Sequence, residues 1–161
     1  MRQPTILYLI TGSFIFLFLG LLVTVGIPAL AEPAPTALAV QYNELQLKGR
    51  AVYIREGCWY CHTQQVRKVE AQQGTVLVRG DIGPESVPGD YVYQSPVLWG
   101  TNRQGPDLSH VSSRPYATKE WHISHLQDPR RNWLAASLMP SYAHLSGQDM
   151  NALAEYLLTL K

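Results

Sequence analysis

The N-terminal segment is apolar throughout, and this pattern predicts a membrane-spanning helix. From Ile6 to Ala31 the sequence contains no charged residue and is rich in Leu, Ile, Phe and Val. About 20 apolar residues, at ~1.5 Å each, span the hydrocarbon core of a bilayer. The alternative is a cleaved signal peptide, because Ala29-Leu30-Ala31 resembles a cleavage site, but such peptides have apolar cores of only ~7–15 residues. We therefore predict an uncleaved transmembrane anchor over residues 1–31.

Beyond the anchor, the pattern predicts a short linker and then a helical domain. Pro33 and Pro35 disfavour helix, so residues 32–41 are interpreted as the linker. In residues 42–161, apolar positions recur at three- and four-residue steps, and each such stretch follows a residue suited to cap a helix. The predicted helices are Tyr42–Glu56, Lys119–Leu126 and Gly147–Leu160, with the caps Asn43, Thr118 and Ser146. The predicted fold class is all-α.

Residues 63–104 are predicted to form a long irregular loop, because glycine and proline interrupt every periodic pattern there. Two short segments within it, Thr75–Val78 and Tyr91–Tyr93, have the composition of strands and are suited to a small hairpin. A loop of this length in a compact domain usually covers a ligand or meets a partner.

The charge distribution separates the anchor from the rest of the chain. Arg2 is the only charged residue before Glu32, so 12 basic and 12 acidic residues balance in the remainder. A net charge of +1 gives no electrostatic support for a nucleic-acid partner. A single positive charge on a short N-terminal tail favours keeping that tail in the cytoplasm. The polar domain is then expected on the outer side of the cytoplasmic membrane.

The run Cys58-Trp59-Tyr60-Cys61-His62 has the spacing of a haem c attachment signature. Two thiols three residues apart on one helical turn can each add to a vinyl group of the same porphyrin, and the adjacent histidine can ligate the iron. A zinc site would need further ligands, and the chain has no other cysteine pair. A thioredoxin-like dithiol would need a βαβ context, which the pattern lacks. We therefore expect one covalently attached haem c.

A six-coordinate haem iron needs a second axial ligand. The candidates in the polar part of the chain are Met139, Met150, His110, His122, His125 and His144. Met150 falls on the apolar face of a predicted helix and suits the core. His122 and His125 share one helix face, for which partial exposure is the simpler interpretation. Met139-Pro140 lies in the non-helical segment 137–142, so we predict Met139 as the ligand.

Further segments resemble a class I cytochrome c domain. Gly105-Pro106, before Asp107-Leu108, is similar to the segment whose proline carbonyl accepts a hydrogen bond from the axial histidine, a role this resemblance implies for Pro106. Gly49-x-x-x-Tyr53 and Leu153-x-x-Tyr156 resemble the crossing of the first and last helices in that fold. The resemblance implies an anchored class I cytochrome c domain.

Several motifs in order resemble one family, the membrane-anchored monohaem cytochrome c subunit (subunit II) of cbb3-type cytochrome c oxidases. They are Tyr53-Ile54-Arg55-Glu56-Gly57-Cys58, His62-Thr63-Gln64-Gln65-Val66-Arg67, Tyr91-Val92-Tyr93, Leu98-Trp99-Gly100, Arg103-Gln104-Gly105-Pro106-Asp107-Leu108, Glu120-Trp121-His122 and Met139-Pro140-Ser141-Tyr142. The resemblance implies an electron relay from a donor cytochrome to the haem–copper catalytic subunit, beside other cytochrome c subunits. The chain itself would not be catalytic, because a six-coordinate haem has no open position.

Two questions stay open at this point. The same plan fits the small cytochrome c subunit of a nitric oxide reductase and a free-standing membrane-tethered electron carrier. A haem-based sensor would need a labile sixth position and a signalling domain. Trp99 and Arg103 are candidates to contact haem propionates, where charge-assisted hydrogen bonds are strong, and equally candidates for interface or fold residues.

Overall fold

The computed structural model describes residues 4–73, 83–132 and 136–161, and every regular element in these ranges is helical. The α-helices are α1 (Pro4–Leu21), α2 (Ile27–Leu30), α3 (Glu44–Arg55), α4 (Lys68–Gln73), α5 (Lys119–Gln127), α6 (Pro129–Asn132) and α7 (Gly147–Leu157). Three-residue to four-residue 3₁₀ turns lie at Cys58–Tyr60, Pro88–Tyr91 and Val111–Ser113. The predicted all-α class is therefore confirmed for the described residues.

The chain divides into two compact units, Met1–Ala34 and Pro35–Lys161. In the first unit, α1 continues through a π-helical turn, Leu22–Gly26, into α2. The stretch Thr5–Leu30 is long and apolar enough to cross a membrane, with a mean hydropathy of 2.5. Its one threonine in the last turns, Thr24, donates its hydroxyl to the Gly20 carbonyl oxygen at 2.7 Å, so that polar group is satisfied within the helix. The predicted N-terminal helix is present, and its length and composition are those of a membrane-spanning helix.

The second unit begins within the predicted linker, residues 32–41. The Thr36 N–H donates to the Gly89 carbonyl oxygen at 3.2 Å, and its hydroxyl donates to the Asp90 carboxylate at 2.5 Å. Two hydrogen bonds to the 3₁₀ turn Pro88–Tyr91 therefore hold Thr36, near the start of the second unit, in place.

The core of the second unit is the crossing of α3 and α7. A Cβ atom added to Gly49 would lie 1.9 Å from the Ala152 carbonyl oxygen, so only glycine allows the two backbones to approach this closely. Beside this point the rings of Tyr53 and Tyr156 meet edge to face, with centroids 5.4 Å apart. The predicted crossing of first and last helices in this domain is confirmed.

The caps predicted for the three long helices of this unit are present. The Asn43 side chain accepts from the Gln46 N–H at 2.9 Å while the Gln46 side chain accepts from the Asn43 N–H, which forms a capping box. Thr118 accepts from the Trp121 N–H and Ser146 from the Asp149 N–H, both at 3.1 Å. α7 ends at Leu157, earlier than the predicted Leu160. The residues that follow form a turn in which the Thr159 hydroxyl donates to the Tyr156 carbonyl oxygen.

The expected small hairpin is not present in the part of it that the structure describes. Thr75–Val78 lies outside the described residues. Tyr91 ends the 3₁₀ turn, and Val92 has helical backbone angles (φ −57°, ψ −24°). Asp90 explains the difference, because its carboxylate accepts the Val87 N–H at 2.8 Å and closes a turn instead of a ladder.

Replacing Gly49 with alanine should destabilise the second unit by about 1–3 kcal/mol or more, because the new methyl group overlaps a backbone oxygen of α7 that cannot yield independently. Thermal unfolding followed by circular dichroism measures this loss. Gly147→Ala is the matched control: nothing lies within 4 Å of its Cβ position, and alanine is the better helix former. Equal melting temperatures for the two variants would contradict the proposed close approach.

Candidate haem site

The cysteine pair lies on a tight turn that directly follows α3. Gly57 ends the helix with a φ of 71°, a conformation that favours glycine. The N–H groups of Cys61 and His62 both donate to the Cys58 carbonyl oxygen, at 3.2 and 3.0 Å. Both cysteines are free thiols on one turn, with the histidine at its end. This arrangement agrees with the spacing argument from the sequence.

His62 is held by one of its two ring nitrogens. Its Nδ1 lies 2.8 Å from the Pro106 carbonyl oxygen, and a carbonyl can only accept, so Nδ1 carries the proton. Burial lowers the pKa of the imidazole, an effect that the Pro106 carbonyl partly opposes. Among the described residues Nε2 makes no hydrogen bond. A neutral imidazole with Nδ1–H bonded to a carbonyl and a free Nε2 lone pair is the form that ligates a metal.

The segment that carries Pro106 packs closely against the His62 ring. A Cβ atom on Gly105 would lie 2.2 Å from the Cε1 atom of His62, so glycine is required at this position. The Gly105 N–H donates to the Cys61 carbonyl oxygen at 2.9 Å, and the Leu108 N–H donates to the Thr63 carbonyl oxygen at 2.8 Å. These two backbone bonds hold the segments together on both sides of the ring.

The two thiols differ in their surroundings. Cys58 is buried, and burial raises its pKa to about 12, although a hydrogen bond from the Tyr142 hydroxyl opposes the shift. Cys61 is half-buried, and its thiol donates to the Gln104 side-chain oxygen at 3.4 Å. Cys58 is therefore a protonated thiol in a packed environment, and neither cysteine is paired in a disulfide.

Met139 lies in the non-helical segment between α6 and α7, as predicted. Its side chain is half-buried and packs against the hydrophobic cluster that contains Cys58 and Tyr142. The Met139 N–H donates to the Ser137 hydroxyl at 3.2 Å, which helps to fix the segment. The structure thus brings this thioether and the attachment run onto the same apolar cluster, while its role as an iron ligand stays a prediction.

Three other candidate ligands have different surroundings. Met150 is buried in the core on α7, as expected for a packing residue. The His110 ring is packed against Gly83, whose Cβ position lies 2.2 Å from the His110 Cδ2 atom. His144 is exposed, with its Nε2 3.1 Å from a Glu56 carboxylate oxygen. Each of these contacts fits a packing or surface role.

His122 on α5 differs from the expectation of a partly exposed histidine. Its side chain is only 3% exposed and lies on the face of Leu126, one turn later, which is the signal that the sequence analysis missed. His125 is half-buried and stacks on the Trp121 ring, with centroids 4.7 Å apart. Burial lowers the pKa of both histidines to about 4, so both are neutral at pH 7.

These two histidines leave buried polar atoms without a partner. Nε2 of His122 and Nδ1 of His125 make no hydrogen bond within the described part of the chain. Buried polar atoms are rarely left in this state unless a bound group or water satisfies them. Two free thiols, a neutral imidazole, a thioether and orphaned ring nitrogens in one domain fit a haem c group.

Trp99 lies beside the attachment run and is half exposed. It lines an apolar cleft of about 440 Å³ together with Trp59 and Leu98. The Tyr91 ring meets the Trp99 indole edge to face, with ring centroids 6.0 Å apart. The Trp99 carbonyl oxygen accepts the Gln64 N–H at 2.9 Å. Trp59 also stacks on Tyr60, with ring centroids 4.3 Å apart, so the two residues inside the signature form one aromatic surface.

Arg103 lies in a largely buried hydrogen-bond network. Its Nε donates to the Thr63 hydroxyl at 2.5 Å, and its terminal nitrogens donate to Glu70, to the Gln65 carbonyl oxygen and to Asp107. All three guanidinium nitrogens are therefore bonded within the protein. This geometry favours the fold-residue interpretation among those that the sequence left open.

The fold and the site together define a class: an all-α domain that carries a cysteine–cysteine–histidine turn and that follows an N-terminal apolar helix in the chain. The family model described as cytochrome c oxidase, mono-haem subunit/FixO matches residues 2–158, and the chain belongs to this family. No curated protein sequence matches the chain. The resemblance to the monohaem subunit of cbb3-type oxidases is thus confirmed, and membership implies haem as the cofactor and an oxidase complex as the setting.

Gly105→Ala should displace the His62 ring, because the added methyl group overlaps its Cε1 atom, and should break the Nδ1–Pro106 hydrogen bond. We expect a loss of haem-loaded protein and an altered low-spin signal in the electron paramagnetic resonance spectrum of what remains. Asn102→Ala, an exposed change in the same loop, is the control. An unchanged spectrum and yield for Gly105→Ala would show that the ring is not held as described.

Proposed function

We propose that this chain carries one covalently attached haem c and relays single electrons from a donor cytochrome to the haem–copper catalytic subunit of a cbb3-type oxidase. The observation that supports it most directly is the hydrogen bond from His62 Nδ1 to the Pro106 carbonyl oxygen at the end of the attachment turn. Family membership over residues 2–158 supplies the setting.

Cys58 and Cys61 are the proposed attachment residues. Each thiol would add across one vinyl double bond of the haem, with the sulfur bonded to one vinyl carbon and the thiol proton transferred to the other. No electron is gained or lost in this addition. Because both thiols are on one turn, they can reach two vinyl groups of a single porphyrin.

His62 and Met139 are the proposed axial ligands. His62 presents a neutral Nε2, and the Pro106 carbonyl fixes the orientation of its ring. Met139 presents a thioether from a segment fixed by Pro140 and by the Ser137 hydroxyl. Bound haem supplies a one-electron ferric–ferrous couple, and a thioether ligand raises its potential because it favours the ferrous form.

This ligand set gives the chain an electron-transfer role and no catalytic role of its own. When two side chains fill both axial positions, no position is left for oxygen. Oxygen reduction therefore belongs to the haem–copper subunit, with other cytochrome c subunits and a donor cytochrome as the remaining proposed partners.

The proposed location is the cytoplasmic membrane, with residues 42–161 on its outer side and the anchor in contact with lipid. The apolar stretch Thr5–Leu30 supports the anchor, and the lone Arg2 supports the orientation. The outer side is also where c-type cytochromes receive their haem. We further propose Arg103 as a fold residue and Trp99 as part of the surface around the attachment turn.

Mild solubilisation of membranes should keep this chain, 18.0 kDa plus one haem, together with a haem–copper subunit. Size-exclusion chromatography with haem staining of the separated subunits measures the association. A chain that carries haem but migrates alone would support a free-standing carrier and exclude the subunit role. Co-migration with a subunit that reduces nitric oxide would exclude the oxidase.

Met139→Ala should abolish the weak far-red sulfur-to-iron absorption of the ferric protein, because the thioether is removed. Met150→Leu is the matched control, since it removes the other methionine of the domain at nearly constant volume from the buried core. The band should persist in that variant. Persistence of the band in Met139→Ala would show that another residue is the ligand.

A further inference from the structure

Asp107 is a buried carboxylate that accepts four hydrogen bonds from groups around the attachment site. Its side chain is 3% exposed. One oxygen accepts from the Thr63 hydroxyl at 2.5 Å, from the Gln65 N–H at 3.0 Å and from Arg103 at 3.3 Å. The other accepts from the Ser109 N–H at 2.8 Å. A buried carboxylate needs such partners, and here each partner comes from a segment near His62.

The cation in this network connects a second acidic residue to the same segments. Arg103 donates to the Thr63 hydroxyl, to the Glu70 carboxylate and to the Gln65 carbonyl oxygen. We call Thr63, Glu70, Arg103 and Asp107 the Asp107 cluster. Its side chains are largely buried, so water cannot readily replace the bonds they make.

The Asp107 cluster lies directly beside the bond that orients the axial histidine. Thr63 follows His62 in the chain, and Asp107 follows Pro106. The Thr63–Asp107 bond therefore joins the two residues next to the donor and the acceptor of the Nδ1–carbonyl bond. The backbone bond from the Leu108 N–H to the Thr63 carbonyl oxygen is continuous with it.

We propose that Asp107 is a positioning residue for His62, which it holds through Thr63 at the distance where Nδ1–H donates best to the Pro106 carbonyl, with Arg103 fixing the carboxylate. This inference rests on the proposed haem function. A tight bond at Nδ1 raises the basicity of Nε2, and a more basic ligand favours ferric iron. Loss of the carboxylate leaves buried donors without an acceptor, so the two segments move apart and the bond weakens.

A purely structural role for Asp107 would change stability and leave the His62 ring unaffected. The ring N–H distinguishes the two roles, because its exchange with solvent reports the Nδ1–Pro106 bond itself. Asp107→Asn alters both the charge near the site and the position of the His62 ring. Thr63→Val separates the two effects, because it removes the bridging hydroxyl without removing a charge.

The test uses the full, haem-loaded chain in its reduced state. Asp107→Asn should speed hydrogen exchange of the His62 ring N–H by about tenfold, relative to the backbone amides of α7 in the same sample, the loss expected for roughly one hydrogen bond. The reduction potential should rise. Thr63→Val should change the exchange rate and the potential in the same directions by smaller amounts. This variant alone provides the test if Asp107→Asn does not fold.

Asp90→Asn is the matched control. Asp90 is also a buried carboxylate and also accepts a threonine hydroxyl at 2.5 Å and a backbone N–H at 2.8 Å, but from Thr36 and Val87. The Asp90→Asn variant should leave the exchange of the His62 ring N–H and the reduction potential unchanged. Two results would overturn the inference if haem content stays normal. In the first, exchange of the His62 ring N–H in Asp107→Asn rises only in proportion to exchange of the α7 amides. In the second, the reduction potential of Thr63→Val is unchanged. A wild-type chain without covalent haem would overturn this inference and the proposed function together.

Discussion

The hydrogen bond from His62 Nδ1 to the Pro106 carbonyl oxygen is the interaction on which the candidate site depends. It joins the end of the attachment turn to a segment more than 40 residues later in the chain. Both sides must be shaped for it: Gly57 turns the chain after α3, and Gly105 leaves room for the imidazole ring. Because a carbonyl accepts only, the bond also fixes the tautomer and leaves Nε2 free.

The rest of the domain can be understood as support for that bond. The close crossing of α3 and α7 at Gly49 fixes the helix from which the attachment turn emerges. The Asp107 cluster joins the residues next to His62 and Pro106. The apolar N-terminal helix belongs to the first unit, whereas His62 and Pro106 both lie in the second unit. The chain belongs to the family of mono-haem cytochrome c oxidase subunits, and for the proposed electron relay a rigidly held iron ligand would give the haem a defined potential.

The helices were predictable, and the cysteine–cysteine–histidine turn could be singled out as a candidate site, because both signals are local. Caps such as Asn43 act within one turn, and the cysteine–cysteine–histidine spacing is contained in five residues. The hairpin prediction at Tyr91–Tyr93 was wrong because the local preference for strand was weaker than the turn closed by Asp90. The burial of His122 was not predicted because the polarity of histidine favours exposure, whereas its position one turn before Leu126 places it on the buried face of α5.

The sequence by itself determined an apolar N-terminal segment, the spacing of two thiols and a histidine, and the family that these residues identify. Only the tertiary structure decided how His62 is held, because the hydrogen-bond partners of His62, Thr63 and Arg103 lie mostly about 40 residues away in the chain. Hydrogen-bond directions inside a buried network depend on three-dimensional distances of a few ångströms. Residue identity names the donors and acceptors, and the fold selects which of them meet.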